Sequence, residues 1–255
     1  MAVELLDDLI RPLREDPARS ALLFDFDGTL SPTVPDPDDA RPMPGAVELL
    51  DQLASRYWRV AAVSGRPLSF LRRVLPASVV LSGQYGLELH GPGVEPQFQD
   101  LGRWRKAVDE AVERAVAAEI AGMRVEPKGE TLTLHWREHP EVETAVVSLA
   151  ATLAEATGLI TRPAKKSVEL HPPIPTDKGT AVRYLADGAE SVLYVGDDVG
   201  DLPAFDALAG LRREGLRTVA LAVASVELPE AVAEAADGVV DGTSGTVALL
   251  HSLLG

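Results

Sequence analysis

The sequence contains no cysteine and no asparagine, and only 5% of its 255 residues are aromatic. The absence of cysteine excludes a disulfide framework, a thiol nucleophile and a thiolate metal site, and the absence of asparagine excludes an N-glycosylation acceptor. Basic residues are also few, because 24 Lys and Arg stand against 39 Asp and Glu, for a net charge of −15. This acidity argues against a protein that coats nucleic acid or binds membranes through a basic surface.

No segment of the chain suggests export or membrane insertion. The N-terminal stretch MAVELLDDLIRPL is too acidic for a signal peptide. No apolar run approaches the roughly 18 residues of a membrane span. We therefore expect a cytoplasmic protein, and we expect it to act as a monomer.

The pattern of apolar residues divides the chain into three parts. Up to about residue 100, buried-strand patterns such as Ser20–Leu30 and Trp58–Gly65 alternate with helical ones, which is typical of a parallel sheet covered by helices. Residues 101–173 differ, since a long helix precedes two stretches that alternate like an antiparallel hairpin. The sequence thus predicts an α/β fold. Residues 1–100 and 174–255 form a Rossmann-like core with a parallel sheet, and residues 101–173 form an inserted, smaller α/β cap domain.

Acidic side chains cluster at the ends of two predicted strands. Asp25 and Asp27 follow the first strand in the motif DFDGT, and a later strand is followed by GDDVGD, which contains Asp197, Asp198 and Asp201. Ligands of open α/β sheets bind beyond the carboxyl ends of the strands, and five carboxylates gathered there would repel one another without a cation. Mg²⁺ prefers oxygen ligands and keeps water positions that a substrate phosphate can take. The pattern therefore indicates a Mg²⁺ site, which reverses the local sign of charge in an acidic protein.

Two further features supply positive charge near the same edge. A third strand ends in Ser64-Gly65-Arg66, where a hydroxyl and a guanidinium group can receive an anion. Lys178 lies near a predicted helix start. Taken singly, a DxDG turn, a GDD turn or a lone lysine is more often structural than catalytic. Their occurrence in chain order, each at a strand end or a helix start, favours a phosphate site with Arg66 as one of its binding residues.

This ordered set of motifs resembles the haloacid dehalogenase superfamily of phosphatases, and the resemblance extends over the whole predicted core. It implies that Asp25 is the nucleophile, which takes the phosphoryl group as an aspartyl phosphate. It implies further that Asp27 is the general acid and base, and that Ser64 and Lys178 bind phosphate oxygens. The implied metal group consists of Asp25, the backbone carbonyl of Asp27 and Asp197, with Asp198 and Asp201 in or just outside the metal shell.

The rest of the chain narrows the resemblance to the trehalose-6-phosphate phosphatases. LLFDFDGTLSP, VSGRP and SGQYGLE are similar to motifs of that family, and the cap contains a similar E-x-K and H-x-R hairpin at Glu126–Lys128 and His135–Arg137. The resemblance implies Mg²⁺-dependent hydrolysis of trehalose 6-phosphate. It implies contacts to the sugar and its phosphate from four cap residues: Glu126, Lys128, Arg137 and Glu169. Trp136 is expected to point away from His135 and Arg137 and to pack inside the cap.

Two departures from the family pattern leave the substrate open. Asp201 is followed by Leu202-Pro203-Ala204-Phe205 where the family has a polar, acidic stretch, and Tyr85 stands where the family has a histidine. Sucrose phosphate and a glycosyl-phosphoglycerate are therefore alternative substrates, and a non-catalytic phosphosugar-binding module is a more distant alternative. For the cap residues, the alternative is a solvated, charged hairpin face with no ligand.

Overall fold

The computed structural model describes residues 3–96, 98, 101–164, 166–226 and 228–255. The helices are α1 Val3–Glu15, α2 Ala46–Ala54, α3 Leu68–Val74, α4 Leu101–Ala117, α5 Glu143–Thr157, α6 Lys178–Leu185, α7 Leu202–Arg213, α8 Glu230–Ala235 and α9 Gly242–Leu254. The strands are β1 Ser20–Phe24, β2 Arg59–Val63, β3 Val80–Gly83, β4 Glu88–His90, β5 Arg124–Pro127, β6 Leu132–His135, β7 Ile160–Ala164, β8 Ser167–His171, β9 Ser191–Gly196, β10 Arg217–Val223 and β11 Gly238–Val240. Among these helices, none combines the length and the apolar character that a bilayer span requires.

The chain divides into two compact units. One comprises the chain up to Pro96 together with Thr176–Gly255, and the other comprises the intervening segment that ends at Pro175. The first unit contains the sheet β11-β10-β9-β1-β2-β3-β4, and the second contains the sheet β5-β6-β8-β7. Asp100, where the predicted first core segment ends, lies outside the described residues, and the assignment of the second unit as a substrate-recognition cap stays a prediction.

The strands from β11 to β3 in the first unit pair in parallel, and helices on both faces of the sheet bury its central strands. In β1, Leu22 and Phe24 pack into one apolar cluster, whereas Leu23 packs into another cluster on the opposite face. Helices α1, α2, α3 and α9 contribute to the first cluster, and α6, α7 and α8 contribute to the second. One strand departs from the prediction of a parallel sheet, since the edge strand β4 runs antiparallel to β3. The tight turn at Gln84–Gly86 joins these two strands directly, and so short a connection allows only antiparallel pairing.

The sheet of the second unit is antiparallel and has two unlike faces. Leu132, Leu134 and Leu170 lie in an apolar cluster that includes residues of α4 and α5. Alternation along the strands puts the polar residues on the other face. There, Glu126 lies opposite Thr133, and Thr133 lies opposite Glu169.

Candidate active site

The candidate active site lies at the carboxyl edge of the parallel sheet. β1 and β9 are neighbours there, and the sheet continues through β2 on one side and through β10 on the other. The connections after β1 and β9 therefore leave in opposite directions, which opens a crevice suited to a ligand. The loops after β1, β2 and β9 carry the predicted acids, the serine and the arginine, and α6 begins with the predicted lysine.

Asp25 and Lys178 form a buried ion pair. The backbone N–H of Asp25 donates to the Val195 carbonyl over 2.8 Å, which ties the loop after β1 to β9. Lys178 Nζ lies 2.8 Å from Asp25 Oδ1, and the two side chains are 5% and 6% exposed, respectively. Burial raises the pKa of Asp25 well above its usual range, and the nearby carboxylates of Asp201 and Asp197 add to this effect while Lys178 opposes it. Burial alone lowers the pKa of Lys178, but Asp201 and Asp25 raise it well above its usual range, so the ammonium group stays charged.

Asp201 is the hub that holds this arrangement together. Its Oδ1 accepts from Lys178 Nζ over 2.6 Å and from the Tyr194 hydroxyl over 2.5 Å. Its Oδ2 accepts from the backbone N–H groups of Asp197 and Asp198 over 2.9 and 3.1 Å. A carboxylate has about four lone-pair positions, so these four donors occupy its full capacity. Burial and the Asp201 carboxylate raise the pKa of Tyr194 well above its usual range, which keeps its hydroxyl a donor.

The acids around Asp197 fit a hard cation. One carboxylate oxygen from each of Asp25, Asp197 and Asp201 lies within 4.8 Å of the others. Asp197 Oδ1 is buried without a hydrogen-bond partner among the described residues, and such an oxygen is costly unless a ligand satisfies it. Burial and the neighbouring Asp201 and Asp198 raise the pKa of Asp197 to about 7. A divalent cation would relieve both the orphaned oxygen and the crowding of charge, and an all-oxygen donor set suits Mg²⁺.

Asp27 and Arg66, which lie 39 residues apart in the sequence, meet in a two-pronged ion pair. Arg66 Nε donates to Asp27 Oδ2 over 2.8 Å, and its Nη2 donates to Oδ1 over 2.6 Å. The same guanidinium group also lies 4.4 Å from the centre of the Phe70 ring. Ser64 is buried beside it, and its hydroxyl accepts from the Arg66 backbone N–H over 3.1 Å. The structure thus brings these three predicted site residues together.

The turn that contains Tyr85 braces the loop after β2. The Tyr85 backbone N–H donates to the Ser64 carbonyl over 3.0 Å, and the Gln84 N–H donates to the Arg66 carbonyl over 3.0 Å. Both turn residues have positive φ, 48° for Gln84 and 58° for Tyr85, a conformation that costs free energy in a residue with a side chain. Tyr85, which stands where the resembled family has a histidine, therefore lies next to Ser64 and Arg66, the predicted phosphate-binding residues of this loop.

Asp198 differs from the other acids of its motif. Its side chain is exposed and accepts from the Gly200 backbone N–H over 2.8 Å, which caps the short helical turn at Val199–Asp201. Asp201 closes the same turn from the other side, since its carboxylate accepts from the Asp198 N–H. Among the described residues, the carboxylates of Asp25, Asp197 and Asp201 lie close enough together to bind one metal ion. The roles of Asp198 and of the Asp27 backbone carbonyl stay predictions.

In the second unit, some of the predicted cap residues lie on strands of the sheet and the others lie just beyond strand ends. Glu126 on β5 lies 2.5 Å from His135 Nε2, and Glu169 on β8 is buried across the sheet from Thr133. Trp136 packs in the apolar cluster of this unit, as the alternation predicts. Lys128 lies just beyond β5, where its N–H donates to the Thr131 carbonyl over 2.9 Å.

Arg137 does not continue the face that carries His135. β6 ends at His135, and Arg137 occupies an exposed turn after it. Strand alternation places a side chain only while the strand lasts. Arg137 thus lies on a turn rather than on the sheet face with Glu126 and Glu169, and its predicted substrate contact stays a prediction.

The stability of the second unit is expected to fall as the pH is lowered from about 4.5 towards 2. The hydrogen bond from His135 lowers the pKa of Glu126 from 4.5 to about 2. Between pH 4.5 and about 2, Glu126 takes up a proton in the unfolded state but remains ionised in the folded state. The free energy by which Glu126 stabilises the folded state above pH 4.5 is therefore lost progressively across this range. Thermal unfolding of the protein and of Glu126→Gln across this range measures the effect. We expect the wild-type melting temperature to fall more steeply than that of Glu126→Gln, with Glu113→Gln, at an exposed position on α4, behaving like the wild type. Parallel curves for all three proteins would contradict the assignment.

Tyr194 is the site residue that the sequence patterns missed. It lies in the middle of the fully buried strand β9, where its spacing suggests only a core residue. A signal was nevertheless present, because a buried tyrosine hydroxyl requires a hydrogen-bond partner, and Tyr194 stands three residues before Asp197.

Comparison with known proteins places this geometry in a family. A family model described as trehalose-phosphatase matches residues 23–234. The chain is 35% identical over 217 residues to the trehalose-phosphate phosphatase of Mycobacterium ulcerans (strain Agy99), a match that covers 80% of this chain and 55% of that protein. The chain thus spans about half the length of the curated relatives it matches.

Solved structures share the fold. One described as a trehalose-6-phosphate phosphatase related protein superposes with a TM-score of 0.75 at 22% identity, covering 92% of this chain and 97% of that chain. A haloacid dehalogenase-like hydrolase from Bacteroides thetaiotaomicron superposes with a TM-score of 0.63 at 15% identity, covering 91% and 98% of the two chains. These likenesses confirm the predicted fold class, an α/β core of the haloacid dehalogenase type.

Proposed function

The chain belongs to the trehalose-phosphatase family, and we propose that it is a Mg²⁺-dependent phosphatase that converts trehalose 6-phosphate to trehalose and inorganic phosphate. The observation that carries this proposal is the buried pair of Asp25 and Lys178 inside an acidic cluster. A carboxylate held against an ammonium group at a sheet edge is suited to attack a phosphate whose charge the surrounding cations offset.

In the proposed first step, a carboxylate oxygen of Asp25 attacks the phosphorus atom. The bond between phosphorus and the sugar oxygen breaks, and Asp27 donates its proton to that oxygen, so that trehalose leaves as an alcohol. The product on the enzyme is an aspartyl phosphate at Asp25. In the second step, water attacks the phosphorus atom and gives its proton to Asp27, and the bond to Asp25 breaks. Inorganic phosphate leaves, and both carboxyl groups return to their starting states.

Three residues of the chain are suited to hold the phosphate during these steps. Lys178 Nζ lies 2.8 Å from Asp25 Oδ1, and Ser64 lies in the loop after β2. The Arg66 guanidinium group donates two hydrogen bonds to the Asp27 carboxylate, one to each oxygen. This contact fits the ionised form of Asp27, which is present once its proton has gone to the leaving oxygen and which then acts as the base towards water. The remaining guanidinium nitrogen, Nη1, donates to the Pro37 carbonyl over 2.5 Å.

We assign the cation to Asp25, Asp197 and the backbone carbonyl of Asp27. Bound there, Mg²⁺ would neutralise phosphate oxygens and relieve the repulsion among the acids. Asp201 has all four lone-pair positions occupied by donors, so we place it just outside the metal shell, where it positions Lys178. Asp198, which caps the adjacent turn, is also placed outside.

The polar face of the second unit is suited to sugar recognition. Glu126 and Glu169 offer carboxylate acceptors on either side of Thr133, and sugar hydroxyls donate readily to carboxylates. The Thr133 hydroxyl is buried without a hydrogen-bond partner among the described residues. Lys128 and Arg137 add positive charge to the same hairpin. We propose that these groups select the sugar, while the first unit carries out the chemistry.

Phosphate release from a panel of sugar phosphates tests the function. The panel contains trehalose 6-phosphate, sucrose 6-phosphate and a glucosyl phosphoglycerate, each assayed with Mg²⁺ and with excess EDTA. The proposal requires preferred release from trehalose 6-phosphate and its loss in EDTA. Preference for another ester would retain the chemistry and change the substrate. Absence of release from every ester would favour a phosphosugar-binding module, and a full rate in EDTA would exclude the metal assignment.

Lys128→Ala is expected to impair hydrolysis of trehalose 6-phosphate far more than hydrolysis of p-nitrophenyl phosphate. The aryl ester has no sugar hydroxyls, so it cannot use a recognition group on the second unit. We expect a loss of about 10-fold or more in kcat/KM for the sugar ester, in the range of a charge-assisted hydrogen bond, and less than about twofold for the aryl ester. Lys106→Ala, which removes an exposed lysine from α4 of the same unit, serves as the control and should affect neither. Equal losses for both esters would show that Lys128 does not recognise the sugar.

A further inference from the structure

Tyr194 is a completely buried residue that the proposed reaction does not use. It lies on β9 with none of its surface exposed, and its ring packs edge-on against Phe205 with 5.9 Å between the ring centres. Its hydroxyl donates to Asp201 Oδ1 over 2.5 Å. Packing alone would be satisfied by phenylalanine, so the hydroxyl group is the part of this side chain that needs an explanation.

The hydroxyl shares its acceptor with Lys178. Both donate to Asp201 Oδ1, whereas the backbone N–H groups of Asp197 and Asp198 fix Oδ2. Lys178 in turn lies 2.6 Å from Asp201 Oδ1 and 2.8 Å from Asp25 Oδ1. The ammonium group therefore lies between two carboxylates. The hydrogen bond from Tyr194 partly offsets the negative charge of Asp201, so that Asp201 attracts Lys178 less strongly.

We propose that Tyr194 is a positioning residue that acts through Asp201 to keep Lys178 against Asp25. This inference rests on the proposed phosphatase function, in which Lys178 and Asp25 must meet the phosphate together. When the tyrosine hydroxyl is removed, Asp201 Oδ1 is left in a buried site with one donor fewer. Lys178 is then drawn towards Asp201 and away from Asp25.

Tyr194→Phe tests this role with the loss of a single oxygen atom. We expect kcat for trehalose 6-phosphate to fall about tenfold, while KM changes less than threefold because the sugar contacts persist. Tyr57→Phe is the matched control. Tyr57 is also buried, and its hydroxyl donates over 2.8 Å to the carbonyl of Leu253, a residue of α9 outside the acidic cluster. The control should lower the melting temperature to a similar degree and leave kcat unchanged. Equal kcat values for the two variants would overturn the proposal.

A double-variant cycle tests whether Tyr194 acts through Asp201. Asp201→Asn is expected to lower kcat strongly by itself, because the ionic contact with Lys178 is lost. Adding Tyr194→Phe to Asp201→Asn should then lower kcat by less than twofold, since the carboxylate that transmits the effect is absent. A further tenfold loss in the double variant would show that the tyrosine acts by another route.

Mg²⁺ binding, measured by calorimetry without substrate, separates this inference from the proposed function. With the Lys178 ammonium moved away from Asp25, less positive charge opposes a cation beside that carboxylate, so Tyr194→Phe should bind Mg²⁺ about threefold more tightly than the wild type. A general loosening of the site would weaken binding instead, and weaker or equal binding would contradict the inference. If the wild type hydrolyses no sugar phosphate, the proposed function fails, and the calorimetric result alone decides the position of Lys178.

Discussion

Replacing Asp25 with asparagine is expected to abolish turnover while leaving the fold intact. Asparagine has nearly the same shape, so it can occupy the buried position beside Lys178, and the backbone bond from residue 25 to the Val195 carbonyl does not depend on the side chain. An amide oxygen, however, is a poor nucleophile towards phosphorus. Loss of a nucleophile removes most of the rate enhancement of an enzyme, so we expect a fall in kcat of about 10⁴-fold or more.

The measurement combines steady-state kinetics with acid-quench trapping of the phosphorylated enzyme. Wild-type protein should retain label from a ³²P-labelled sugar phosphate after denaturation, whereas Asp25→Asn should retain none. Asp237→Asn is a suitable control, because Asp237 also pairs with a basic side chain, Arg212, but lies away from the acidic cluster. It should keep its activity. If Asp25→Asn retained more than about 1% of the wild-type kcat, another group would have to be the nucleophile.

Position along the strands explains why much of the candidate site could be predicted from the sequence. Asp25 and Asp197 each follow a strand of continuous apolar residues, and parallel strands bring their carboxyl ends to the same edge of a sheet. Lys178 begins a helix behind Asp177, whose side chain accepts from the Thr180 N–H over 2.7 Å. The helix start was therefore visible as a capping residue in the sequence.

The contacts between loops could not be predicted in the same way. Asp27 and Arg66 meet only because the loops after β1 and β2 bend towards each other, and no periodicity encodes that bend. The same limit applies to Asp201. The spacing of GDDVGD shows an acid near the site, but the four donors that saturate its carboxylate come from β9, from α6 and from its own turn. Its position at the hub of the cluster is a property of tertiary structure.

The second unit shows how far strand alternation extends. Alternation along β6 predicts that Trp136 packs inward, and Trp136 is 6% exposed in the apolar cluster. The same rule predicts Arg137 on the face of His135. The pairing of this strand continues to Trp136, whose N–H donates to the Lys166 carbonyl over 3.1 Å, and Arg137 lies in the exposed turn beyond it. The buried Thr133 between Glu126 and Glu169 was not singled out, because the order of the strands β5-β6-β8 cannot be read from a single hairpin pattern.

Gly28→Ala is expected to lower activity strongly, although Gly28 contributes no side chain. Its φ is +79°, and a Cβ atom at this position would lie 2.0 Å from Asp197 Oδ2 and 2.3 Å from Asp197 Cγ. The methyl group would therefore push the Asp197 carboxylate out of the acidic cluster. Because Asp197 carries the orphaned buried oxygen that fits the cation, both Mg²⁺ affinity and turnover should fall, each by about 10- to 100-fold.

Gly45→Ala separates this clash from the ordinary cost of a left-handed backbone. Gly45 has nearly the same φ, +83°, but a Cβ atom there would meet nothing within 4 Å. Both substitutions carry the conformational penalty of about 1–2 kcal/mol for a non-glycine residue in this region, so both should lower the melting temperature. Only Gly28→Ala also displaces Asp197. Calorimetric titration with Mg²⁺ and kcat measurements on both variants should show the loss in Gly28→Ala alone. Equal Mg²⁺ affinities would mean that the Asp197 carboxylate does not bind the metal, since its displacement would then have no consequence.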